Sequence, residues 1–265
     1  MNILDRIIAD KRKEVALKKS IIPTSQLERS VLFDRQTVSL SHNLKQSSSG
    51  IIAEHKRRSP SKAEISYAFS VEEVVKGYEN AGVCGISVLT DGKYFGGSLD
   101  DLLLARATVK LPLLRKDFVI DEYQILEAKA HGADLILLIA SCLSPNEIKQ
   151  FAAFAKSLKL EVLLEVHDLE ELQRSITPNL DIIGVNNRNL KTFEVNLNVS
   201  TELSSEIPND FVKISESGIT TDSDVLQLQK YGYKGFLIGE NFMKSGNPAS
   251  ATANFISQIN KNHQL

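Results

Sequence analysis

From residue 51 onward, short apolar runs alternate with longer stretches of helical pattern, and no other property of this chain restricts its fold as strongly. The runs Ile51–Lys56, Gly85–Thr90, Leu113–Phe118, Leu135–Ile139, Glu161–Val166, Ile182–Asn186, Val212–Glu216 and Gly235–Ile238 read as eight strands. Helical patterns follow them over Val71–Ala81, Leu99–Thr108, Glu122–His131, Pro145–Ser157, Leu169–Ser175, a weaker stretch near Val199–Ser204, Asp222–Tyr231 and Pro248–Asn260. Ser70, Ser144, Asp168 and Thr221 stand where a side-chain oxygen can accept from first-turn N–H groups. Gly82, Gly132 and Gly232 stand where helices end. An open doubly wound sheet commonly stops at five or six strands, so the expected class is α/β, a closed (β/α)8 TIM barrel. No linker divides the chain, and residues 1–265 are expected to form one barrel domain.

The segment before the repeat, residues 1–48, is different in kind. Ile3, Ile7, Ile8, Val15 and Leu17 recur among charged residues and predict an amphipathic helix over residues 3–19. Pro23, Thr24 and Ser25 can start another short helix, the remainder is weakly patterned, and Gln46–Gly50 reads as a polar loop. These apolar residues are too few for a core of their own, so an N-terminal helical extension packed over the barrel mouth is expected.

A net charge of −2 offers no bulk attraction for nucleic acid or an anionic membrane, so any anion site must be local. Nowhere do about 18 apolar residues run together, and the first 20 residues have no signal-peptide core. Cys84 and Cys142 are far apart, without a C-x-x-C pair, which argues against disulfides and thiolate metal sites. A soluble cytoplasmic protein is expected.

Active sites of such barrels lie at the C-terminal ends of the strands, and here most of those ends are polar. Alternation places Ile52, Glu54 and Lys56 on one face of the first strand and Ile51, Ala53 and His55 on the other. Taken alone, that stretch suits a solvated edge strand equally well. The later strands tip the balance. Lys116 follows Leu113-Leu114, Glu165 follows Val162-Leu163-Leu164, Asn186 and Arg188 close the sixth run, and Glu216-Ser217-Gly218 and Gly239-Glu240 close the last two. Partial burial beside opposite charges suits Lys and Glu to proton transfer. Gly218 and Gly239 offer backbone N–H groups after the seventh and eighth strands, where barrels often hold phosphate, and Lys56 and Ser59 can add a charge and a hydroxyl. Phe95 beside Gly96-Gly97 suits a wall against a planar substrate. His55 and His167 are expected to pack or make ordinary hydrogen bonds, Cys84 and Cys142 to fill the core, and Lys18-Lys19 and Arg57-Arg58 to be solvated.

Several motifs stand in the order of one family. Ile52-Ala-Glu54-His-Lys56-Arg-Arg-Ser59-Pro60-Ser61, Leu89-Thr-Asp91 with Phe95-Gly-Gly97, Leu114-Arg-Lys116-Asp-Phe118, Leu164-Glu165-Val-His167, Gly184-Val-Asn186-Asn187-Arg188-Asn-Leu190 and Ser215-Glu216-Ser217-Gly218 resemble indole-3-glycerol-phosphate synthase. The resemblance implies ring closure, with decarboxylation and dehydration, of 1-(2-carboxyphenylamino)-1-deoxyribulose 5-phosphate in tryptophan biosynthesis, without cofactor or metal. It implies Lys116 as general acid, Glu165 as base, Glu54 and Lys56 as a supporting catalytic pair, with Lys56 also a candidate acid in the dehydration, and Asn186 as a catalytic group that binds and orients the substrate with Arg188. Ser59, Phe95, Phe118, Leu137, Arg188, Leu190, Glu216 and Ser217 would contact substrate, and Lys56, Gly218, Gly239 and Glu240 would hold its phosphate. It also leaves room for transient contact with other tryptophan-pathway enzymes. A phosphoribosylanthranilate isomerase would be expected to carry Cys where this chain has Glu54, and a barrel that merely binds a metabolite has no need of Lys116 with Glu165. Ala63, Gly92 and Tyr94 depart from the family's commoner residues in the first two loops.

Overall fold

The computed structural model describes residues 3–189 and 192–262. The chain opens with α1 (Ile3–Ile21), α2 (Thr24–Glu28) and α3 (Leu40–Gln46). The repeat then runs β1 (Ile51–His55), α4 (Val71–Ala81), β2 (Gly85–Leu89), α5 (Gly92–Phe95), α6 (Leu99–Thr108), β3 (Leu113–Lys116), α7 (Glu122–Ala130), β4 (Leu135–Ile139) and α8 (Pro145–Ser157). It continues through β5 (Glu161–Val166), α9 (Leu169–Ser175), β6 (Ile182–Asn186), α10 (Asn198–Leu203), β7 (Val212–Glu216), α11 (Asp222–Gln229), β8 (Gly235–Ile238), α12 (Glu240–Met243) and α13 (Pro248–Asn262). All eight strands are parallel and pair in chain order, and β8 closes back on β1. This is the (β/α)8 TIM barrel that the alternation of patterns implies.

Local chemistry explains the boundaries. Ser70 and Ser144 make reciprocal capping boxes with Glu73 and Glu147, Thr221 does the same with Asp224, and Asp168 accepts from Glu171 N–H. Period-two alternation sorts the strand residues into two cores. Ile51, Ala53, Ile86, Val88, Ile136, Leu138, Val162, Leu164, Ile183 and Val185 face the helices. Ile52, Leu114, Leu137, Leu163, Ile182, Ile214 and Leu237 face one another inside the barrel.

The N-terminal segment spans the barrel from end to end instead of covering only the mouth. α1 lies at the mouth, where Ile3, Leu4 and Ile7 line the cavity described below. Val15 and Leu27 then pack against Tyr123, Leu126 and Ala130 of α7. α3 closes the opposite end. Its Leu40 and Leu44 are buried in the inner core, and Leu40 Cδ1 packs so closely over Gly85 that a Cβ there would lie 2.6 Å from it and force the leucine to shift. Glu161, the first residue of β5, fixes this helix by accepting from Leu40 and Ser41 N–H at 2.8 and 3.1 Å and from the Ser39 and Ser41 hydroxyls. Sequence pattern left residues 40–46 unassigned because they offer only two apolar side chains, and their anchor lies some hundred residues later.

Candidate active site

Within five of the strands, β1, β3, β5, β6 and β7, the inward-facing row is apolar at the bottom and ends in a polar or charged group at the top. Ile52 leads to Glu54, Leu114 to Lys116, Leu163 to Glu165, Ile182 to Asn186 and Ile214 to Glu216. These ends converge on a cavity of about 320 Å³, a volume suited to a small-molecule ligand.

Lys116 is its centre. The ammonium lies 2.5 Å from Glu216 Oε2 and 3.1 Å from Glu165 Oε2. Burial disfavours its charge, yet Glu216, Glu165 and Glu54 together raise it above the ordinary lysine range. Burial also opposes ionisation of Glu165, but Lys116, His167 and a 2.9 Å hydrogen bond from Asn186 Nδ2 to Glu165 Oε1 hold it below the usual carboxylate range. Glu216 goes the other way: burial, with Glu165 and Glu54 nearby, pushes it to about 7 against the pull of Lys116. The two carboxyl groups therefore share one ammonium while having opposite appetites for a proton, a division suited to acid and base work in one site. A second pair stands beside them, with Lys56 Nζ 2.8 Å from Glu54 Oε1, while the Ser87 hydroxyl donates to Glu54 Oε2 at 3.3 Å.

The walls are apolar. Phe95 and Phe118 pack with ring centroids 6.0 Å apart, and both line the cavity with Leu137. Ser59 contributes from the first loop, where Ser59 and Lys62 exchange backbone hydrogen bonds. Arg188 lines the side after β6, and its guanidinium donates to Phe193 O. Leu190 lies outside the described residues. Ser217, Gly218, Gly239 and Glu240 form the rim above β7 and β8. Ser217 holds φ 67°, a left-handed conformation that a residue with a side chain adopts at a cost. Gly239 has no room for a side chain, because a Cβ there would lie 2.6 Å from Glu54 Oε1. The Glu240 carboxylate is paired with Lys62 at 3.0 Å and would itself repel an anion. The rim also carries Lys244 and Asn241, which sequence pattern did not single out.

Residues expected to be solvated make specific ties. Arg57 pairs with Asp101 and donates to Gly96 O, and Arg58 donates to Gly92 O and Lys93 O, so both fasten the first loop to the second. Lys18 pairs with Glu14 and Glu127, and Lys19 with Asp121. Tyr94, one of the departures from the family pattern, donates to Asp10 of α1 at 2.5 Å. Lys11 of the same helix is buried between Asp91 and Asp117, 2.9 and 3.0 Å away. His167 is nearer the chemistry than its position past β5 suggested, and its Nε2 faces Glu165. Among the described residues, no group of three or more His, Cys, Asp or Glu side chains is placed to hold a metal ion.

A family model described as "Indole-3-glycerol phosphate synthase" matches residues 4–255. The chain belongs to the indole-3-glycerol phosphate synthase family. Relatives of that name include one from Bacteroides thetaiotaomicron, 47% identical over 258 residues covering 97% of this chain and 99% of the relative. Another, from Verminephrobacter eiseniae, is 42% identical over 95% of this chain and 98% of the relative. A third, from Aquifex aeolicus, is 50% identical over 75% of this chain and 77% of the relative. Among solved structures, one described as "Native KDPGal structure" matches with a TM-score of 0.58 at 14% identity, covering 83% of this chain and 96% of that one, a likeness of fold alone. The indole-3-glycerol phosphate synthase family thus accounts for nearly the whole chain, from α1 into α13.

Proposed function

We propose that the mouth of this barrel converts 1-(2-carboxyphenylamino)-1-deoxyribulose 5-phosphate to indole-3-glycerol phosphate, with Lys116 and Glu165 as the principal acid and base. The observation that carries this reading is the Lys116 ammonium held between Glu165 and Glu216 beneath an apolar wall.

The anthranilate ring would lie against Phe95, Phe118 and Leu137, and Arg188 would hold its carboxylate until that group leaves. Lys116 donates to the keto oxygen as the ring carbon attacks. Its raised pKa keeps it charged until attack begins, and the alkoxide that develops is basic enough to draw the proton across. Loss of CO₂ restores the aromatic ring. Loss of water then requires a proton on the departing hydroxyl, which Lys56 or Glu216, pushed up to about 7, would supply, and removal of a C–H proton by Glu165, held below the usual carboxylate range and oriented by Asn186. Glu54 holds Lys56 in register. The Gly218 and Gly239 amides, with Lys56, would take the phosphate.

A cytoplasmic setting and passing contact with other enzymes of tryptophan biosynthesis belong to the same reading. Two free cysteines and the absence, among the described residues, of any helix long and apolar enough to cross a membrane support the first.

Incubation with the substrate while indole fluorescence is followed tests the activity. Lys116→Ala and Glu165→Gln are expected to fold and to lose about 10²–10⁴-fold in kcat, the usual contribution of a positioned proton-transfer group. Near-normal turnover in both would overturn the assigned roles.

A further inference from the structure

We infer that His167, braced by Glu171, is a positioning residue that holds Glu165 ionised from behind the substrate cavity. This rests on the assignment of Glu165 as the base and adds a group that the cavity wall does not include.

The geometry is that of a clamp on the carboxylate. Glu165 Oε2 accepts from Lys116 at 3.1 Å, and Oε1 accepts from Asn186 Nδ2 at 2.9 Å. His167 Nε2 lies 3.5 Å from the same Oε1, buried and without a hydrogen-bond partner. A buried ring nitrogen without a partner is costly, and a small approach to Oε1 would satisfy it. The other ring nitrogen, Nδ1, lies 3.1 Å from Glu171 Oε2 on α9, and the same oxygen accepts from His167 N–H at 2.9 Å. Glu171 thus fixes the ring from the side away from the cavity. Its charge favours the doubly protonated imidazole, whose second N–H then points at Glu165.

The surrounding charges agree. Burial works against a charged His167, but Glu171, Glu165 and Glu216 outweigh it and raise its pKa. The nearby thiol is Cys142, which burial and Glu165 push up to about 12, so it stays neutral. Lys116, Asn186 and the Glu216 carboxyl face Glu165 from β3, β6 and β7, the first two favouring its ionisation and Glu216 opposing it. With His167 protonated, Glu165 stands between two cations and remains a base at lower pH than Lys116 alone would allow. Removing the imidazolium raises the carboxyl's pKa, so the acid limb of the rate profile must move to higher pH.

The test is the pH dependence of kcat and KM, read by indole fluorescence on the full chain for wild type, His167→Ala, His167→Gln, Glu171→Gln and Glu165→Gln. In His167→Ala the acid limb of kcat is expected to move up by about one pH unit, the scale of a neighbouring charge. KM should change by less than about twofold, because His167 does not line the cavity. His167→Gln restores a donor without a charge, so it should recover part of the rate at high pH but leave the limb displaced. Glu171→Gln should move the limb in the same direction by less, and it serves if the His167 variants fail to fold. A limb that stays in place in the folded variants, or a loss that is equal at every pH, overturns the inference. If Glu165→Gln is inactive while the His167 profiles overlay wild type, only this inference falls. If Glu165→Gln turns over normally, the assignment of the base falls with it.

Discussion

Lys116 carries more of the site's electrostatics than any one of the carboxylates it touches, and its removal gives a prediction that reaches stability as well as rate. Without the ammonium, Glu165 and Glu216 face each other in a buried space with Glu54 close by. Their folded pKa values then rise above the unfolded ones, so the folded state binds more protons than the unfolded chain. Stability conferred by that uptake is complete at low pH and is lost as pH rises from the ordinary carboxylate value of 4.5 through about 7, where Glu216 titrates even with Lys116 present. Lys116→Met should therefore be destabilised by about 3–5 kcal/mol near pH 8, the cost of breaking a buried pair, and by much less near pH 5. Urea unfolding at the two pH values measures this, and an equal loss at both would mean that Glu216 is not the group that responds. At this scale the sequence was most informative where a charge ended an apolar, alternating run, as at Lys116 and Glu165. It was least informative where the partner comes from a loop or a helix. His167 follows β5 by one residue, and nothing local states that its ring turns back toward Glu165 while Glu171 holds the other side.

The N-terminal helices illustrate why elements outside the repeat are harder to read. α1 was legible from its stripe of isoleucines, but beside its apolar packing it is tied to the barrel by a buried cation, Lys11, between Asp91 and Asp117 just past β2 and β3. Apolar periodicity carries no sign of such a pair. α3 was not legible at all, and it alters what truncation should do. Deletion of residues 1–22 removes the cover and the Lys11 contacts but keeps the floor. We expect a folded barrel with a raised KM or a lowered kcat, since a cover excludes water and helps to position substrate. Deletion of residues 1–46 also removes Leu40 and Leu44, each worth about 2–5 kcal/mol by analogy with buried Leu→Ala changes. It also leaves the Glu161 carboxylate without the donors it holds. That chain should unfold or aggregate. Circular dichroism and steady-state kinetics on both truncations separate cover from floor, and full activity in the shorter deletion would refute the cover.

For the whole molecule, closure is what brings distant motifs together. Eight alternating units implied the barrel because strand and helix patterns, turn residues and capping residues all agreed from Ile51 to Pro248. Closure itself depends on β1 pairing with β8, and no local pattern encodes a contact between residues so far apart. The proposed phosphate site depends on the same closure. Lys56 follows β1, Gly218 follows β7 and Gly239 follows β8, so the unfolded chain has no such site. A ligand that binds only the native state must stabilise it, by about 2.7 kcal/mol at one hundred times its dissociation constant. For a chain somewhat longer than 250 residues that corresponds to a rise in Tm of roughly 5 °C. Inorganic phosphate should therefore raise Tm with a saturable dependence that sodium chloride at matched ionic strength does not reproduce. In Lys56→Gln the rise should fall sharply, because the cation is gone, while the amides of Gly218 and Gly239 keep a weaker hold on the anion. A phosphate effect of the same size in Lys56→Gln, or one matched by sodium chloride, would place the anion elsewhere and leave Lys56 solely as the partner of Glu54.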